Sequence, residues 1–350
     1  MFRYSVQRIL LAVLTTAIIL SLTFFLVKLQ PFPATVGNNA AQITYYTKQV
    51  NLGYAVEYST AQTGLGECLF WGKDSAGVLH YFYQRPIFDQ YIAWVRGIFT
   101  GNWGISNSIE PNVDSMVVIV GSSWTNSRLL TTVKVNIWPV IISVPLGLAL
   151  GIWAALKKNK LTDHIISTLV MIFISVPSFI TINILLYLFA YTWGVLPSQW
   201  PSATAPLNTR VLGYFIPTMA LSFGSICGYC RFTRAELTEV MSSDYLLLAR
   251  TKGLTKSQAI TRHALRNAMV PILPSILSEI IGLLGGSMIL ESLYGIPGVG
   301  RLYITAINAN DYNVLMTDMS LYTLIGLISG VFLDLSYGFI DPRIRMGAKK

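Results

Sequence analysis

The side chains able to do chemistry are few and scattered. The histidines are His80, His164 and His263, too widely spaced to suggest a metal centre. Cys227 and Cys230 form a CxxC inside an apolar run, with no second pair and no nearby histidine, so they read as small packing residues. Cys68 stands apart from both. The string GECLFWGKD from Gly66 is the nearest approach to a phosphate-binding loop, and its spacing is wrong. Neither a G-x-S-x-G elbow nor an HExxH pair occurs. The sequence therefore assigns no catalytic residue and no metal ligand, and it excludes ATP hydrolysis through a P-loop. What remains is a set of acids in apolar surroundings: Glu279, Glu291, Asp318 and Asp334. Such acids mark substrate paths or hydrogen bonds between helices. Glu291 and Asp318 are expected near one membrane boundary and Asp334 near the other, at modest cost. Glu279 is expected deeper, either lining a substrate path or bonded to a neighbouring helix.

The elements that must position these groups are membrane spans. Of 350 residues 53% are hydrophobic and only 12% charged, about half the charged fraction of a soluble chain. Several apolar runs exceed the roughly 18 residues that suggest a bilayer-crossing helix. The fold class is all-α polytopic membrane protein with about six spans: Ile9 to Leu29, Thr131 to Leu156, Ile165 to Trp193, Leu212 to Phe232, Pro271 to Leu293 and Leu315 to Ile340. The first has a long apolar core and no clear signal-cleavage site, so it reads as retained. Pro177 should kink the third. Between the first two spans lies a loop of about a hundred residues, read as an outer subdomain because aromatics are plentiful. The domain reading is 1–30 N-terminal helix, 31–128 outer subdomain, 129–340 transmembrane core and 341–350 tail. The net charge of +9 does not point to nucleic acid. Sixteen of the 25 Lys and Arg fall in the short segments that are inner if both termini are cytoplasmic, as the positive-inside rule requires. Four GxxxG pairs, Gly147/Gly151, Gly224/Gly228, Gly282/Gly286 and Gly326/Gly330, suggest a tightly packed bundle.

One inner loop, within 233–269, stands out as a polar, basic island between two spans. Ser242, Ser243 and Asp244 are helix N-cap types ahead of the apolar run Tyr245 to Leu248. Gly253 suits the left-handed position that ends a helix, with Arg250 and Lys252 in the last turn. Leu254 is expected to fold back over Leu248 or Ala249. Thr255 and Gln258 then have capping-box spacing. The prediction is two short helices joined at a glycine corner.

DYLLLARTKGL followed by HALRNAMVPILP closely resembles the conserved cytoplasmic loop of binding-protein-dependent ABC importer permeases, in the form used by the oligopeptide and dipeptide branch. QRPIFDQYIAWVRGIFTGNWGIS, Asp163 with SVPSF, ESLYGIPGVGRL and the terminal DPRIR resemble that branch too, covering almost the whole chain except Gly37 to about Leu79. The resemblance implies a type I importer architecture in a bacterial cell membrane. This chain would pair with a second, homologous permease, contact two ATPase subunits and receive peptide from an extracytoplasmic binding protein. ATP and magnesium would belong to the ATPase subunits, with no cofactor in this chain. The carried-over coupling positions are Asp244, Tyr245, Ala249, Arg250, Lys252, Gly253, Thr255, His263 and Arg266, small Ala249 permitting close approach of the ATPase. Ser175, Ser178 and Glu279 are candidate path-lining residues.

The chain also departs from the pattern. Leu247 stands where the wider superfamily has its first glutamate, and QPFPATVG replaces a PGDP-like string. The segment up to Leu79 reads as a contact for the binding protein, as a cap over the outer mouth, or as a decoration. The substrate is expected to be oligopeptide, with dipeptide, nickel or glutathione as alternatives. A stand-alone channel or ion-coupled carrier is the reading from another class. It needs a buried charged relay, which the scattered acids do not supply.

Overall fold

The computed structural model describes residues 2–30, 39–65, 68–111, 113–123 and 127–340. The DPRIR string, the tail 341–350 and most of QPFPATVG lie outside the described residues. In chain order the helices are α1 Phe2–Lys28, α2 Asn39–Asn51, α3 Ile87–Thr100, α4 Ser115–Val120, α5 Arg128–Leu156, α6 Leu161–Ile174, α7 Ser178–Leu185 and α8 Leu207–Leu212. They continue with α9 Phe215–Met241, α10 Asp244–Thr251, α11 Lys256–Ala259, α12 Leu265–Gly282, α13 Met288–Tyr294, α14 Val299–Asn308 and α15 Tyr312–Ile340. Strands β1 Ala55–Tyr58, β2 Cys68–Lys73 and β3 Leu79–Gln84 fall between α2 and α3. Among the described residues five helices are long and apolar enough to cross a membrane, or six if α6 and the helix after Pro177 form one bent span.

Two compact units emerge, one of 1–12, 129–301 and 325–350, the other of 13–128 and 302–324. The first is organised around α9, which packs against α6, α7 and α12. Gly147 and Gly151 of α5 allow α5 to lie directly on it. A Cβ at Gly151 would stand 2.6 Å from Thr233 Cβ and 2.7 Å from the Cys230 carbonyl. Cys227 and Cys230 are buried there against Val170, so this CxxC is packing. The other glycine pairs do not behave this way. A Cβ at Gly224, Gly228, Gly282, Gly326 or Gly330 would meet nothing within 4 Å, and Gly286 lies outside a helix at φ 61°. Only one of the four pairs brings backbones together inside this chain.

Two spans differ from expectation. Pro177, which has no N–H to continue the ladder, breaks the third: the axis turns by 94° between Leu161–Ile174 and Ser178–Thr192. The fifth ends earlier than Leu293. α12 tightens into a 3-10 turn at Leu283–Gly285 and stops at Gly286, and Met288 onward belongs to α13, capped by the Ser287 hydroxyl.

In the second unit the strands form an antiparallel sheet ordered β1-β3-β2. Phe82 on β3 is fully buried and stacks with Tyr46 of α2 and Phe70 of β2. α3 lies against the last turns of α1, where Phe24 meets Tyr91 and Trp94 at 5.4 and 5.1 Å. Asp311, before α15, accepts the Ser106 hydroxyl at 2.6 Å and the backbone N–H groups of Asn107, Ser108 and Ile109 at 3.0–3.2 Å. One carboxylate oxygen thus fixes the turn after the NWGIS string.

Candidate functional site

The loop after α9 is built locally. α9 stops at Ser242, and Ser243 takes the N-cap position of α10 with extended backbone. Its hydroxyl does not cap forward but donates back to the Val240 carbonyl at 2.6 Å. Gly253 then adopts φ 96°, which a side chain rarely tolerates. Across that corner Thr255 makes the full capping box: its hydroxyl accepts the Gln258 N–H, and the Gln258 carboxamide accepts the Thr255 N–H at 3.1 Å.

The second element is not a separate short helix. α11 runs through a π turn, Ile260–Ala264, into α12, so Lys256–Gly285 is one 30-residue helical stretch. The π turn accommodates His263, and Arg266 follows in the first turn of α12. On the inner side Leu246, Ala259, Ile260, Ala264 and Ala268 are buried together with Leu237 of α9 and Ala155 of α5. Leu254 packs on this cluster, while Leu248 is exposed. α10 is thereby seated on the ends of three long helices.

The outer side holds most of the residues singled out in the sequence. Asp244, Tyr245, Arg250, Lys252, Gly253, Thr255, His263 and Arg266 are all exposed. Ala249 is buried at 9% exposure. Its small side chain packs within the chain. Leu247 and Leu248 join Tyr245 on the open face, at 62% and 55% exposure. A short, doubly anchored helix thus presents three large apolar side chains ringed by Asp244, Arg250 and Lys252, the composition of a protein-docking face.

A brace between α6 and α9 stiffens the same region. Arg234 donates from Nε and Nη2 to Asp163 at 2.5 and 2.8 Å. Asp163 is 1% exposed and also accepts the Asn159 N–H at 2.9 Å and the Ser167 hydroxyl at 3.3 Å. The matched fork geometry is that of a bidentate pair.

The path candidates are spread out. Ser175 is exposed at the 94° bend and donates to the Met171 carbonyl, while Ser178 is the exposed first residue of α7. Glu279 is half-buried on α12 beside the Tyr229 hydroxyl of α9. Helix α9 contacts both α7 and α12, yet the serines and Glu279 occupy separate elements.

Glu291 and Asp318 are both buried within the protein, at 2% and 0% exposure. Glu291 is a hub that sequence reasoning missed. Its Oε1 accepts the Thr132 hydroxyl at 3.0 Å, and its Oε2 accepts the Arg301 N–H at 3.0 Å, in the first turn of α14. Thr132 in turn accepts the Val299 N–H at 3.0 Å. The glycines of YGIPGVG make room for it. A Cβ at Gly298 would fall on Glu291 Oε2 and Thr132 Oγ1, and one at Gly300 would lie 3.1 Å from Oε2. Glycine spacing beside a glutamate was the available signal, but the partner Thr132 lies 159 residues away.

Several helices long and apolar enough to cross a bilayer, with a packed loop that leaves an apolar face open, are the features of a multi-pass membrane protein. The chain belongs to the family of binding-protein-dependent transport system inner membrane components, whose model matches residues 147–346. It is 31% identical to the dipeptide transport system permease protein DppB of Lactococcus lactis, over 99% of this chain and 100% of that protein. Identity to the DppB protein of Bacillus subtilis is 30%, over 100% of each. The oligopeptide permease protein OppB of Escherichia coli is 31% identical over 76% of this chain and 83% of its own length. A solved amino acid ABC transporter chain is similar over 60% of this chain and 91% of its own, with 20% identity and a TM-score of 0.47.

Proposed function

We propose that this chain is a permease subunit of an ATP-driven peptide importer in a bacterial plasma membrane. With a second permease of the same family it forms the translocation path. α10 seats in a groove of an ATPase subunit, two such subunits serve the pair, and ATP with magnesium is bound and hydrolysed there. A substrate-binding protein delivers peptide on the opposite side. Both termini are cytoplasmic, as is the α10 loop. Within the loop, Asp244, Arg250 and Lys252 make polar contacts, Tyr245, Leu247 and Leu248 fill the groove, and Gly253 and Thr255 fix the corner. Ser175, Ser178 and Glu279 line the path.

The observation that carries this reading is the mounting of α10. Its buried face locks onto α5, α9 and α12, while its open face holds Tyr245, Leu247 and Leu248. A docking helix transmits motion only if it is fastened to what must move. Full-length relatives are named for dipeptides and for oligopeptides alike, which supports peptide as the cargo class. The test is uptake of labelled peptides of two to six residues into vesicles containing the co-expressed subunits. Uptake should require ATP and should fall severely for Leu247→Asp, with normal insertion of the variant. Transport without ATP, or an L247D variant that couples normally, would overturn the proposal.

A further inference from the structure

Helix α3 has three faces. On the inner one Gln90 is fully buried and Trp94 is 4% exposed. Tyr91 beside them stacks on Phe25 at 5.3 Å, with its hydroxyl 2.7 Å from the Ser21 hydroxyl. On the second face Phe88, Ile92 and Phe99 recur at helical spacing and point outward, with exposures of 62%, 53% and 85%. The third carries Asp89 and Arg96, both exposed, with exposed Arg85 just before the helix. Arg85, Asp89 and Arg96 also line a cleft of about 490 Å³, whose rim includes Ile92 at the edge of the apolar stripe.

The depth of this helix follows from its anchor. Ser21, Phe24 and Phe25 belong to the last turns of α1, a membrane-spanning helix that ends at Lys28. Ser21 lies seven residues before that end, roughly 10 Å inside it at the helical rise. Leu22 and Leu26 of α1 are exposed, as lipid-facing residues are. The Lys28 ammonium stands 3.6 Å over the Tyr54 ring, and tyrosine is enriched where a bilayer meets water. The apolar stripe of α3 therefore continues the lipid-facing surface of α1 at the level where the bilayer meets water. An amphipathic helix at that level rests with its apolar face about 5–10 Å into the boundary.

We propose that α3 is a surface-lying membrane helix. Phe88, Ile92 and Phe99 insert among the acyl chains of the leaflet around the C-terminal end of α1. Arg85 and Arg96 meet headgroup phosphates, with Asp89 beside them to accept a headgroup ammonium. Lipid fits better than a protein partner because the stripe joins an existing lipid-facing surface and is edged by cations at headgroup height.

The test uses the full chain with Cys68→Ser, purified with its co-expressed subunits in nanodiscs of phosphatidylethanolamine and phosphatidylglycerol. Nitroxides are attached through Phe88→Cys, Asp89→Cys, Ile92→Cys, Arg96→Cys and Phe99→Cys, one at a time, against an unsubstituted background. Collision with oxygen should exceed collision with a water-soluble nickel chelate at 88, 92 and 99, and the order should reverse at 89 and 96. Nickel-dominated collisions at 88, 92 and 99 would show the stripe in water and overturn the proposal. Low collision with both reagents there would show a protein partner covering it, and would overturn it equally.

Discussion

Gly298→Ala is the sharpest test of the Glu291 hub. The new Cβ would stand 2.7 Å from Glu291 Cδ and overlap both Glu291 Oε2 and Thr132 Oγ1. Since carbon–carbon contacts are optimal at about 3.5–4.0 Å, the carboxyl group must retreat by roughly 0.8–1.3 Å. That stretches its 3.0 Å bonds to Thr132 and the Arg301 N–H past hydrogen-bonding range. Stranding one buried partner costs about 1–3 kcal/mol, and overpacking adds about 1–3 kcal/mol. The expected loss is roughly 2–6 kcal/mol. For a unit of roughly 200 residues, 3 kcal/mol corresponds to a drop of about 6–12 °C in melting midpoint. The assay is the apparent midpoint of the detergent-solubilised chain, followed by loss of its monodisperse fraction. Gly224→Ala is the control, because a Cβ there meets nothing within 4 Å. Glu291→Ala should vacate the space, so the penalty of G298A should shrink by about 2–3 kcal/mol in that background. If G298A melts with G224A, or costs the same with and without Glu291, the steric account is wrong.

Three further outcomes are expected. Arg234→Met strands Asp163 and should destabilise by about 3 kcal/mol, the low end for a broken buried pair, because the arginine is a third exposed; equal melting of R234M and the parent would refute the brace. Gly253→Val meets no steric obstacle, so its cost is the positive φ alone, about 1–2 kcal/mol; the variant should insert normally yet lose substrate-stimulated ATPase activity in the assembled complex, and unchanged stimulation would count against the corner. In the sheet, His80 Nδ1 lies 2.5 Å from Glu57 and Nε2 lies 3.5 Å from Asp74. The Glu57 bond, aided by Asp74, raises the imidazole above its usual 6.5. Its contribution is then complete below that value and disappears as pH climbs through the raised one. Amide protection factors in β1–β3, corrected for the base-catalysed intrinsic rate, should fall from pH 6 to 8.5, and His80→Gln should abolish that fall; protection independent of pH in the parent would contradict it.

Local features were legible in the sequence, and distant ones were not. The capping box at Thr255 and the left-handed Gly253 depend on residues within three or four positions, so spacing reveals them. Pro177 announced a kink, but its 94° angle depends on where α7 packs on α9. The GxxxG pairs misled because spacing reports an opportunity for close approach, and only Gly147 and Gly151 meet a backbone in this chain. Asp163 was noticed without its partner Arg234, which lies 71 residues on. The π turn at Ile260–Ala264 has no residue signature, so the merger of α11 with α12 was invisible, as was the inward turn of Ala249.

That merger has a mechanical consequence. Thirty residues of helix form an arm of about 45 Å. It starts at the capped Thr255 and ends at the glycine break before α13. A tilt of about 10° at the loop end sweeps the far end through roughly 8 Å, given that length. Glu279 lies four-fifths of the way along and travels most of that distance. Pro271 and Pro274, which interrupt the ladder mid-arm, are where such a lever would flex before it slips.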